Sequence, residues 1–155
     1  EDWTATAILA LIGLFNVFGT LTSGYLSTRF SKKKLLSAIY FLRGASILYF
    51  ILMPPSVINA LIFGATFGYL WLSTVPPTSG IVGHIFGTRY VSLLYGFVFL
   101  SHQVGSFLGA YLGGLFHDLH GSLDYAWYIS IALSIFAGLI HLPIKEKAIE
   151  RLQHA

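Results

Sequence analysis

Cysteine is absent from all 155 residues, which excludes a disulfide framework, a thiolate metal site and a cysteine nucleophile. Charge is nearly as scarce, at 10% of the chain against 55% hydrophobic residues. Mean hydropathy is +0.75, and a soluble domain of this length has too little polar surface to cover such a core. The long apolar runs contain no acid, so paired carboxylates are missing from them. A nucleophile–base pattern and a Gly-rich phosphate loop on a strand–helix turn are missing too, and the chain reads as no enzyme. The histidines lack ligand spacing, so neither metal nor cofactor is expected. The sequence pI near 9.2 rests on too few cations to mark a nucleic-acid partner, and those cations lie beside apolar runs.

What remains is five long hydrophobic stretches: Thr4–Leu26, Leu35–Met53, Val57–Phe86, Leu93–Phe116 and Tyr125–Ile144. Each approaches or exceeds the roughly 20 residues a membrane-crossing helix needs. None shows the alternation of a barrel strand, and all are far longer than parallel-sheet strands. The expected fold is all-α, a polytopic bundle over residues 1–145 in contact with the lipid bilayer. Pro54-Pro55 stops the second span, and Pro76-Pro77 predicts a kink in the third.

The loops give the topology. Arg29, Lys32, Lys33 and Lys34 follow span one, Arg89 follows span three, and Lys145, Lys147 and Arg151 follow span five. The opposite loops carry Glu1, Asp2, Asp118 and Asp124. The positive-inside rule then places the N-terminus outside and the C-terminus in the cytoplasm. Residues 146–155 read as a short cytoplasmic tail, helical or disordered. The chain starts at Glu1, not Met, with an acidic flank before the first span. This is not the pattern of a signal peptide, and it is expected of the back part of a larger protein.

The turn Gly24-Tyr-Leu-Ser-Thr28-Arg29-Phe-Ser31-Lys32-Lys33 resembles the cytoplasmic loop signature of the major facilitator superfamily, G-x-L-[AS]-D-R-x-G-[RK]-[RK]. Thr28 replaces the usual Asp and Ser31 the usual Gly, as in the weaker second-half copy of that signature. Five spans ending inside match helices eight to twelve of a twelve-helix carrier. The fourth span, with Gly105, Gly109, Gly113 and Gly114 before His117-Asp118, is similar to the eleventh helix of bacterial monocarboxylate and organic-anion porters. The resemblance implies a fold completed by a missing N-terminal half, and transport by rocking of two halves about a midplane site. Gly24, Arg29, Lys32 and Lys33 would form the gating loop. Spans one, three and four would line the cavity.

Polar residues inside spans are costly and are read as functional by default. Arg43 lies about nine residues into span two, roughly 13 Å at helical rise. No acid of the chain lies at its depth, leaving backbone carbonyls, Gln103, the missing half or an anionic substrate as its partner. His102 falls on the stripe of Gly105, Gly109 and Gly113, whose small residues admit a close helix, and an imidazole suits proton coupling or anion pairing. Gln103 stands beside that stripe. Asn16, Thr20 and Ser23 share one face of span one, and Thr66, Tyr69 and Ser73 one face of span three. Monocarboxylate carriers place an Asp and an Arg where Asn16 and Thr20 stand here, so their coupling mechanism does not carry over. For each residue, cavity lining competes with interhelical hydrogen bonding or packing.

The reading is the C-terminal portion of a secondary active transporter in a plasma membrane, of bacterial inner-membrane type. It moves a small solute, with an organic anion the preferred class. A drug or neutral-metabolite exporter is a variant, and a non-transporting, partner-assembling five-span scaffold is the alternative.

Overall fold

A computed structural model describes residues 2–149. Glu1, Arg151 and the rest of the tail from residue 150 lie outside the described residues. The elements are α1 (Asp2–Arg29), α2 (Lys32–Leu52), α3 (Val57–Trp71), α4 (Val75–Phe86), a 3-10 turn (Thr88–Tyr90), α5 (Val91–His120) and α6 (Asp124–His141). There is no strand among the described residues. Five helical stretches, counting α3 and α4 together, are long and apolar enough to cross a membrane.

Three boundaries differ from expectation. The basic turn shrinks to Phe30 and Ser31, because α1 continues through Arg29 and α2 begins at Lys32. The third span is interrupted at Leu72–Thr74 and not kinked at the prolines. Pro76 and Pro77 sit in the first turn of α4, where a missing N–H costs nothing and a fixed φ favours the helix. The last helix ends at His141, ahead of Leu142-Pro143: Leu142 keeps helical angles, but Pro143 has no N–H with which to continue the ladder.

Two close helix pairs organise the bundle. α1 crosses α3 where Gly19 meets Tyr69 and Ser73, and where Gly64 and Gly68 meet Ile8 and Ile12. α2 packs along α6, with Gly44 against Ser134 and Gly138 against the Phe41 ring. The Ser37 hydroxyl donates to Gly138 O at 2.6 Å. Small residues allow this approach, and in lipid the contact itself drives association, because lipid tails are as apolar as the side chains. Leu36, Ile39 and Ile47 of α2 are buried. Phe50, Phe63, Phe67 and Trp127 form an aromatic cluster joining α2, α3 and α6.

α5 stands apart. None of its residues is buried, and a Cβ added at Gly96, Gly105, Gly109, Gly113 or Gly114 would meet nothing within 4 Å. The glycine stripe therefore packs against no helix among the described residues. Leu14, Val17, Leu21, Phe97, Leu100 and Phe107 are also exposed. Apolar faces of this extent belong against lipid or protein, not water.

Candidate functional site: an interrupted span and the chamber behind it

The interruption between α3 and α4 frees backbone groups that lipid cannot satisfy, so neighbouring helices must supply partners. Arg43 of α2 reaches the end of α3, where Nη2 donates to Leu70 O at 2.7 Å and Trp71 O at 2.8 Å. The guanidinium lies over the Tyr40 and Trp71 rings, 5.2 and 5.9 Å from their centroids. A cation there also complements the negative C-terminal end of α3. Of the alternatives open at the sequence level, backbone carbonyls are the partner of Arg43. Its Nε is buried without a hydrogen bond among the described residues.

From the other side, Asn16 of α1 accepts the Leu72 N–H on Oδ1 at 2.9 Å. Ser73 is 2% exposed, and its hydroxyl donates back to Tyr69 O. The start of α4 is closed as well. Val75 N–H donates to Leu72 O at 3.0 Å, Thr78 N–H to Thr74 O at 3.1 Å, and the two prolines have no N–H. This helix start therefore offers no cradle of free amides to an anion, unlike an ordinary helix N-terminus.

Six of the predicted cavity residues fall into three places. Arg43 and His102 line a half-open chamber of about 490 Å³ bounded by α2, α4, α5 and α6, together with Tyr95 and Gly105. Tyr69 and Thr66 line a separate, almost wholly apolar cavity of about 520 Å³ between α1, α2 and α3. There the Thr66 hydroxyl is already engaged by Ile62 O and Ser46. Asn16 and Thr20 border a shallower hollow of about 290 Å³ beside Gly13 and Leu72, with the Thr20 hydroxyl donating to Asn16 O at 2.8 Å. Gln103 is exposed and lines none of these three spaces.

The chamber is the polar one. The His102 ring tilts against Phe99 at 6.1 Å between centroids. His141 also lines it and stacks on Tyr40 at 5.2 Å. Its Nδ1 lies 2.6 Å from Ala137 O. A carbonyl only accepts, so Nδ1 carries the proton and Nε2 is left to other partners. Thr74 and Thr78 complete the polar wall, and no lining residue is acidic.

At the opposite end of α2, the basic turn has a partner that sequence reasoning missed. The Ser31 hydroxyl donates to Glu146 Oε1 at 3.1 Å, and the Lys33 N–H donates to the same oxygen. Lys33 Nζ donates to Leu142 O at 3.1 Å, and Ile149 N–H to Ile85 O at 2.9 Å. Ser31 makes no side-chain cap of its own, and Lys32–Lys34 put three cations at the positive end of a helix dipole. A carboxylate brought from beyond α6 offsets both defects. Thr28, at the position of the usual Asp, bonds only its own turn through Tyr25 O. Glu146→Ala is expected to cost about 1–2 kcal/mol and to speed hydrogen exchange at the Lys33 amide. Unchanged exchange there would show that the cap is not formed.

Five helical spans, one of them interrupted and stitched by half-buried polar side chains, define a multi-pass membrane protein of helical-bundle type. The chain belongs to the major facilitator superfamily, whose family profile (Major Facilitator Superfamily) matches residues 3–154. It is similar to YcxA of Bacillus subtilis (strain 168), described as an uncharacterized MFS-type transporter. The two are 28% identical over 151 residues, which is 92% of this chain and 37% of that protein. No solved structure gives a significant match.

Proposed function

We propose that this chain is the C-terminal portion of a secondary active transporter that moves a small organic anion by alternating access. The family match across residues 3–154 carries the transporter reading, and the relative's description as an MFS-type transporter agrees with it. The membership of Arg43 and His102 in one chamber without an acidic lining residue supports the anion. The chain lies in a plasma membrane with its N-terminus outside and its C-terminus in the cytoplasm. The open face of α5 at Gly109 and Gly113, beyond the chamber-lining His102 and Gly105, takes helices of an N-terminal half. His102 is the proton-coupling group, the imidazole of this chamber without a hydrogen bond to its own helix's carbonyls.

The test is uptake of small carboxylates into proteoliposomes holding the full-length chain, with and without an imposed pH gradient. Gradient-driven uptake is expected in the wild type, with at least a tenfold loss in His102→Ala. Full gradient-driven uptake by His102→Ala would overturn the coupling role. Uptake of neutral analogues in preference to carboxylates would overturn the anion.

A further inference from the structure

We infer that the chamber between α2, α4, α5 and α6 is a binding site for an aromatic monocarboxylate, held by the guanidinium of Arg43 and the imidazole of His102. The inference rests on the anion-transporter reading and gives it a ligand class and a place. The space of about 490 Å³ is within the usual range for a small-molecule site, which pairs apolar walls with a few convergent polar groups.

Both parts are present. Tyr40, Trp71, Tyr95 and Phe99 supply aromatic wall, against which a flat ring stacks favourably. Arg43 and His102 supply the donors, His141 having given its Nδ1–H to Ala137 O, and no carboxylate in the lining competes for them. Only Nη2 of the Arg43 guanidinium is hydrogen-bonded among the described residues, so donors remain for a ligand carboxylate, which a planar guanidinium suits.

The same geometry gives the site a mechanical consequence. The guanidinium that would receive the carboxylate also caps the last carbonyls of α3. A carboxylate on the remaining donors shares one guanidinium with the end of α3, so occupancy of the chamber is linked to the Leu72–Thr74 interruption. The α4 start adds no anion-binding amides of its own, and the carboxylate must rely on side chains.

The experiment is equilibrium binding of radiolabelled benzoate to the purified full-length chain in detergent, competed by cyclohexanecarboxylate and by benzyl alcohol, alongside benzoate uptake. Saturable benzoate binding is expected, displaced at least tenfold less well by cyclohexanecarboxylate and not by benzyl alcohol. His102→Ala and Arg43→Lys are each expected to weaken it at least tenfold. Because Arg43 also caps α3, a loss in Arg43→Lys counts only with an unchanged melting profile, and His102→Ala carries the test otherwise. Absence of saturable binding, or binding equal to wild type in His102→Ala, overturns the site. Benzoate uptake that survives such a result leaves the transporter reading standing without the chamber. Binding that responds to both variants without uptake keeps the chamber and sinks transport.

Discussion

Gly19→Val is expected to abolish folding of this half of the bundle. A Cβ on residue 19 would fall inside the carbonyl oxygen of Tyr69 and within 2.7 Å of Ser73 Oγ. The obstacle is backbone, which cannot rotate away as a side-chain tip does. Gly68 makes the same crossing from the other helix, where a Cβ would lie 2.6 Å from the Ile12 Cα and carbonyl oxygen. Separating α1 from α3 at these points breaks the Asn16 bond to Leu72 and opens the interrupted segment. Overpacking an interior costs about 1–3 kcal/mol where side chains can adjust. Where backbone must move, the loss is expected to exceed about 4 kcal/mol. The measurement is the monodisperse fraction of the full-length chain in size-exclusion chromatography. It should collapse for Gly19→Val and persist for Gly96→Ala, since residue 96 has open space around its Cβ position. A monodisperse Gly19→Val protein would show that α1 and α3 do not cross this closely.

Arg43→Leu is expected to be the next most damaging change. It removes two hydrogen bonds to the α3 carbonyls, each worth about 1.5–3 kcal/mol when the donor is charged. It also leaves those oxygens facing an apolar side chain. Asn16 still holds Leu72 from the α1 side, so the loss is confined to one edge of the interruption. Hydrogen exchange separates this local effect from general unfolding. The Val75 and Thr78 amides, which close the start of α4, should exchange faster, while the Ile39 and Ile47 amides in the buried part of α2 stay protected. Equal acceleration everywhere would mean global destabilisation, and no acceleration would mean that Arg43 does not brace the interruption.

These two positions mark how far the sequence could be read. Arg43 stands out from its depth alone, with backbone carbonyls among its possible partners. The choice between them depended on where the end of α3 lies, and the prolines misplace that end by several residues. They report that a helix begins nearby as readily as that one bends. Gly19, by contrast, carried no signal. One glycine in an apolar helix looks like any other until the partner helix is in place. The stripe of Gly105, Gly109 and Gly113 is the converse case, conspicuous in the sequence and facing open space in this chain.

The sequence by itself determined the solvent, the number of spans and their helical character. Those follow from hydropathy summed over some twenty residues and from backbone groups that must bond within the segment. It also carried the family signature, because the Gly24–Lys33 turn is a local string of residues. Tertiary structure alone decided which polar residues meet. It divided six of the predicted cavity residues among three separate spaces and left Gln103 and Ser73 outside them, put His141 in the lining shared by Arg43 and His102, and delivered Glu146 to a helix start 113 residues away in the chain. Periodicity reports the face a residue occupies on its own helix. Which neighbour that face meets depends on helix crossings, and a crossing is set by small residues on two helices at once.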